Sequence, residues 1–298
     1  MTASEIRVMV AGSGVMGGGI ARSFAAAGIP TAILSRKPEA VTSPDPAVAI
    51  LGELPEAAPE LVIESVPEVM DLKLELYRRI ETRWDGAPVL ASNTSGLPLQ
   101  ELAGHLAHPE RFCGIHYFQP ADIAPMVEIA RVAQSTDATM RTAISLVEAS
   151  GKMTVVLAEP VPGLLINRLQ HAILNEAYRL IEAGITSAVD VDRAAKHMLG
   201  PRMCVTGLIE QKDLSGIDTH ARAQAAIVPH LYHEAVPSPV IMDKLERNEL
   251  GTKTGTGFYD WRQMDIAGYR GWAEDLLGRL IRFIEAERRP QPPAADGD

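Results

Sequence analysis

The 298-residue chain has only two cysteines, Cys113 and Cys204. Their spacing fits neither a metal site nor a disulfide framework, so no metal is expected, both thiols read as buried small hydrophobes, and a reducing cytoplasm is the expected compartment. Cations are in deficit too: 28 Lys and Arg against 38 Asp and Glu leave a formal net charge of −10, which argues against nucleic acid as a partner. No apolar run is long enough to span a membrane and no charged-then-apolar leader opens the chain, so neither a membrane span nor a signal peptide is expected. No internal repeat, low-complexity tract or heptad run is evident. What remains, 46% hydrophobic and 22% charged residues, suffices for a large core, and a chain of this length suggests two domains.

Glycine, by contrast, is present and patterned. In "VMVAGSGVMGGGIARSFAAAG" (Val8 to Gly28), Gly12, Gly14 and Gly17 stand in G-x-G-x-x-G spacing, with Val15 and Met16 inside it. A β-branched strand (Ile6 to Ala11) precedes the glycines, a small-residue helix follows, and a second apolar strand (Thr31 to Leu34) comes next. Gly12 serves the tight turn, the missing Cβ at Gly14 admits phosphates, and Gly17 lets helix lie against strand. The N–H groups at the helix start then face an anion. The pattern predicts a dinucleotide site, and hence NAD or NADP. The second strand ends in Ser35, Arg36 and Lys37, where an acid would bind a ribose 2′-hydroxyl. A hydroxyl with two cations suits a 2′-phosphate, so NADP is the favoured form.

Further along, strands and helices alternate. Strands are predicted over Leu61 to Val66, Pro88 to Asn93, Arg111 to Phe118, Met126 to Ala130 and Met153 to Ala158. Helices are predicted from Asp71 to about Arg83, with Leu72, Leu76 and Ile80 on one face, around Pro98 to Leu106, and from Thr136 to Ser150. Residues from Pro38 to Pro59 read as a short polar stretch. Such alternation predicts a doubly wound, mostly parallel α/β sheet of Rossmann type. After "AEPVPG" only helices are predicted, over Leu164 to Ala183, Val189 to Leu199, Gly216 to Ile227, Pro239 to Arg247 and Ala267 to Glu285. The expected domains are therefore 1–160 for the dinucleotide and 161–287 for a helical substrate and dimerisation unit, with a Pro-rich tail, 288–298, disordered.

Open α/β sheets bind ligands at the carboxyl ends of their strands. Polar residues there are Glu64, Ser65 and Glu68, then Ser92 to Ser95 with Asn93, then His116, and Glu128 in the strand after it. His116 and Glu128 end consecutive strands, within reach for a carboxylate to orient an imidazole that takes a proton from an alcohol. On the residues alone, a half-buried histidine beside a surface glutamate reads equally well. Ser95 reads as a helix N-cap, Asn167 as an incidental polar residue, and Glu68 and Lys73 as first-turn helix charges.

"GSGVMGGGIA", "ELVIESVPEVMDLKLELY", "LASNTSGLPLQELA", "PERFCGIHYFQPADIAPMVEIA", "PGLLINRLQHAILNEAYRLIEAGI" and "GTKTGTGFYDW" together resemble the 3-hydroxyacyl-CoA dehydrogenase family, in order and spacing, over most of residues 5–260. The resemblance implies a Rossmann domain followed by a helical domain that forms a homodimer. It implies reversible oxidation of a 3-hydroxy group, with hydride passing to a nicotinamide. It places the base on His116, its orienting carboxylate on Glu128, contacts to the reacting oxygen on Ser95 and Asn167, and contacts to the nicotinamide half on Glu68 and Lys73.

The chain departs from the family at Ser35 to Lys37, where NAD-binding members carry an acid, and in the stretches that follow. The Pro38 to Pro59 stretch is shorter than the helical excursion that grips CoA in family members, and it contains no Lys or Arg. Gln119 replaces an asparagine, and Met203 to His220 follows the family only loosely. A compact hydroxy acid or ketone is therefore the expected small-molecule substrate. A 3-hydroxyacyl-CoA, or a small or aromatic alcohol, is the alternative.

Overall fold

The computed structural model describes residues 5–287, so the tail expected over 288–298 lies outside the described residues. The chain divides into two compact units between Arg168 and Leu169.

The first unit is a sheet of eight strands: β1 (Val8–Ala11), β2 (Thr31–Leu34), β3 (Val48–Leu51), β4 (Leu61–Glu64), β5 (Val89–Ser92), β6 (Phe112–Tyr117), β7 (Met126–Arg131) and β8 (Met153–Leu157), in the order β3-β2-β1-β4-β5-β6-β7-β8. Every pairing is parallel except β6 with β7. The chain runs outward from β1 to one edge, then returns to build the other half, so β1 and β4 flank the point where the winding reverses.

Central strands are buried along their whole length because helices cover both faces. Alternation along β1 sends Val8 and Val10 into one core with Ile20 and Phe24 of α1 (Val15–Ala26) and Met140, Ala143 and Val147 of α4 (Asp137–Ala149). Met9 and Ala11 enter the opposite core with Leu76, Tyr77 and Ile80 of α2 (Met70–Trp84) and Leu99 and Leu102 of α3 (Leu99–Gly104).

The stretch read as polar contains a strand, β3, registered Thr31 to Val48 through Leu34 to Leu51 on β2. Four apolar residues between proline and acidic turns are too short to show a period. The crossover into β3, residues 35–47, contains a single 3-10 turn (Pro38–Ala40) and no α-helix.

Helix α5 (Ile166–Glu182) carries the chain into the second unit. There, α6 (Ala188–Ala194) continues through a π-helical turn (Ala195–Leu199) into α7 (Gly200–Thr206), followed by α8 (Glu210–Ser215), α9 (Ile217–Ile227), α10 (Pro239–Glu246) and α11 (Ile266–Ala286). Helices α7 and α8 were not expected, being short and without an apolar period. Among the described residues of this unit only Ala177, Ser238 and Gly278 are buried. Cys113 is buried as expected, but Cys204 is exposed, because α7 has no core to enter. No helix among the described residues is long and apolar enough to cross a membrane.

Candidate active site

The antiparallel pairing of β6 with β7 sets His116 opposite Glu128. Facing residues of such a pair share one side of the sheet, and Glu128 Oε2 lies 2.8 Å from His116 Nδ1. Both side chains are buried. Burial alone pushes the Glu128 carboxyl up, but hydrogen bonds from His116 and from the Ile166 and Leu165 N–H groups outweigh it and hold the group below the usual carboxylate range. An ionised Glu128 accepts from Nδ1–H, which leaves Nε2 as the ring's acceptor. Phe118 packs edge-on against the imidazole with ring centres 4.6 Å apart.

The second oxygen of Glu128 has a role the sequence did not signal. Oε1 accepts from Leu165 N–H at 2.8 Å and Ile166 N–H at 2.7 Å. These are unpaired donors at the start of α5, so a strand residue distant in sequence caps the helix. Asn167 is the next residue, half-buried in the first turn. Ser95 is exposed in the turn between β5 and α3. It borders a cavity of about 130 Å³ bounded by residues 94–100 and 160–164. Among the described residues, the Ser95 and Asn167 side chains make no hydrogen bond, so both are available to a ligand.

Asn93 ties three strand ends together: its Oδ1 accepts from Tyr117 N–H at 2.8 Å and its amide donates to Ser65 Oγ at 3.4 Å. Glu68 is partly exposed beside the Ser95 turn. Lys73, read as a first-turn charge and, by the resemblance, as a contact to the nicotinamide half, is instead 1% exposed on the core face of α2.

The glycine turn fits a dinucleotide. Gly12 has φ +131°, and a Cβ there would stand 2.3 Å from Ser65 O, while one on Gly17 would stand 2.0 Å from Gly12 O. A Cβ on Gly14 would meet nothing within 4 Å, so the space above it is open, and no side chain caps the N-terminus of α1. Val15 and Met16 open α1 directly after the turn. An open cradle lined by bare N–H groups suits a pyrophosphate. At the end of β2, Ser35 is buried, with Oγ 3.1 Å from Ser13 Oγ and accepting from Lys37 N–H at 3.2 Å. Arg36 and Lys37 are exposed there.

Comparison with known proteins gives two family matches. "3-hydroxyacyl-CoA dehydrogenase, NAD binding domain" matches residues 7–56 and 48–160, and "3-hydroxyacyl-CoA dehydrogenase, C-terminal domain" matches residues 163–261. A relative from Mesorhizobium japonicum, 5-formyl-3-hydroxy-2-methylpyridine 4-carboxylate 5-dehydrogenase, is 29% identical over 226 residues, which are 76% of this chain and 73% of the relative. A solved structure of a 5-formyl-3-hydroxy-2-methylpyridine 4-carboxylic acid 5-dehydrogenase, described as an NAD+ dependent dismutase, matches with a TM-score of 0.87 at 25% identity, covering 94% of this chain and 99% of that one. A 3-hydroxyacyl-CoA dehydrogenase from Archaeoglobus fulgidus matches with a TM-score of 0.66 at 28% identity, over 94% and 99% of the two chains.

Proposed function

The chain belongs to the 3-hydroxyacyl-CoA dehydrogenase family of NAD-dependent oxidoreductases acting on CH–OH, and from that premise we propose that His116 and Glu128 are its proton-transfer dyad. The observation that carries this is the buried cross-strand contact of 2.8 Å between His116 Nδ1 and Glu128 Oε2, which turns the other ring nitrogen, Nε2, to proton transfer. Gly12, Gly14, Val15, Met16 and Gly17 would hold the pyrophosphate, and Asn93 and Glu68 line the edge toward the nicotinamide half. When bound, the nicotinamide supplies the hydride acceptor. His116 Nε2 takes the hydroxyl proton, and Glu128 stabilises the resulting imidazolium. In the reduction direction the Ser95 hydroxyl and Asn167 amide donate to the oxygen that gathers charge.

Replacing His116 or Glu128 by alanine is expected to slow hydride transfer by about 10²- to 10⁴-fold while cofactor affinity stays near wild type. Stopped-flow single turnovers decide it, and an unchanged rate in both variants rejects the dyad.

For the substrate we propose a compact hydroxy or oxo acid without CoA. The 35–47 crossover has no α-helix, residues 38–59 have no cation to meet the CoA phosphates, and a close structural relative acts on a carboxylated pyridine. For the cofactor, exposed Arg36 and Lys37 beside Ser35, with no acid at the end of β2, favour NADP over NAD. One screen addresses both: NADH and NADPH oxidation with 3-oxo acids, ring aldehydes and acetoacetyl-CoA. Highest efficiency on acetoacetyl-CoA overturns the substrate proposal, and equal or better efficiency with NADH overturns the cofactor proposal. A homodimer through the helical unit, working in the cytoplasm, completes the proposal.

A further inference from the structure

A chain of charges reaches the Ser95 turn from inside the sheet. Glu64, the last residue of β4, is fully buried and uses both oxygens. Its Oε1 accepts from Lys73 Nζ at 2.6 Å and Val66 N–H at 2.8 Å, and its Oε2 accepts from the Tyr77 hydroxyl and Ser92 Oγ, each at 2.8 Å. Lys73 Nζ also lies 3.1 Å from Glu68 Oε2. Glu68 Oε1 then accepts from the Thr94 hydroxyl and from the N–H groups of Gly96 at 3.0 Å and Leu97 at 3.3 Å. Ser95 sits inside that grip.

Stability alone does not account for this arrangement. Lys73 lies in the apolar stripe of α2 with Leu76, Tyr77 and Ile80. A buried ion pair gains little over a well-packed hydrophobe, because desolvating both charges offsets their attraction. What an ammonium adds is direction: its donors fix two carboxylates at once. Nor does Lys73 reach the cleft surface, so any influence on a ligand passes through Glu68. Burial pushes the Glu68 carboxyl up, yet the Thr94 hydroxyl, Lys73 and the Gly96 N–H together hold it below its usual range and charged.

We propose that Glu64 and Lys73 are positioning residues, a buried pair that aims Glu68 at the Thr94–Leu97 turn and thereby fixes where Ser95 is presented. The catalytic half of this rests on the reading of Ser95 given above. The test uses the full-length protein as Lys73→Met, as Glu64→Gln, and as the double variant, which removes both fully buried charges together and so leaves neither of them unpaired. Hydrogen exchange at the Gly96 and Leu97 amides is expected to rise about tenfold while the β5 amides hold their rates. Turnover is expected to fall by about 10- to 100-fold, with substrate KM nearly constant, as a misplaced group predicts. Unchanged exchange at 96 and 97 overturns the relay whatever the activity does. Faster exchange with unchanged turnover overturns its catalytic half, and Ser95→Ala, measured alongside, shows whether the fault lies in the reading of Ser95.

Discussion

Glu128 does two jobs with one charge, and both depend on its staying ionised. In the folded protein its carboxyl is held below the usual range by His116 and the α5 N–H groups, against the opposing pull of burial. A depressed carboxyl contributes stability above its unfolded value, near 4.3, and that contribution disappears as pH falls through the folded value. Wild-type stability is therefore expected to drop steeply below about pH 4, and Glu128→Gln to show a shallower acid limb from a lower starting stability. Urea unfolding across that range checks it, and parallel curves count against the assignment. The same residue marks a limit of sequence reading. Its pairing with His116 was legible from two strand ends, but the bonds from Leu165 and Ile166 were not, because capping from a distant strand leaves no local spacing. Lys73 was hidden for a related reason. Nothing in a run of helix charges says which one faces a buried Glu64.

Among the elements, the turn from β1 into α1 combines two kinds of glycine, and substitution separates them. Alanine at Gly17 would place its Cβ 2.0 Å from backbone oxygen, a clash that no side-chain movement relieves. Gly17→Ala is expected to cost several kcal/mol, at or above the ~1–3 kcal/mol typical of overpacked sites. Gly14→Ala has open space and is expected to unfold at the wild-type temperature while losing cofactor affinity. Thermal melts with and without NAD(P)H distinguish them: a Gly14→Ala protein still strongly stabilised by cofactor argues against the cradle. This turn was legible because a helix following a strand through G-x-G-x-x-G has few alternatives. Strand β3 was not, since its four apolar residues acquire meaning only when β2 offers them an edge. Helices α7 and α8 likewise lack a face that any period could show.

At the scale of the whole molecule, the second unit buries almost none of its described side chains. On α5, Leu169 and Ile173 are 42% and 45% exposed, and on α11 Leu280 and Phe283 are 46% and 64% exposed. Leu164, just before α5, is instead buried in the sheet core. So much apolar surface on one unit is a surface to be covered, and a dimer mass at micromolar concentration is expected by light scattering. A monomer mass rejects it.

The crossover between β2 and β3, which has no α-helix, also bears on how specificity changes over evolutionary time. A connection that already closes a parallel pair tolerates added length cheaply, since each doubling of a loop costs only about 0.6 kcal/mol in closure entropy. Residues 35–47 are thus a port at which a helical segment is expected to be gained or lost with little effect on the β2 to β3 register or on the distant β6–β7 pairing that holds His116 and Glu128. The grip on a large carrier and the chemistry at the alcohol then become separately heritable traits. On the substrate proposed above, a cationic helical hairpin grafted at this port is expected to raise catalytic efficiency on acetoacetyl-CoA relative to the free 3-oxo acids, measured by NAD(P)H oxidation.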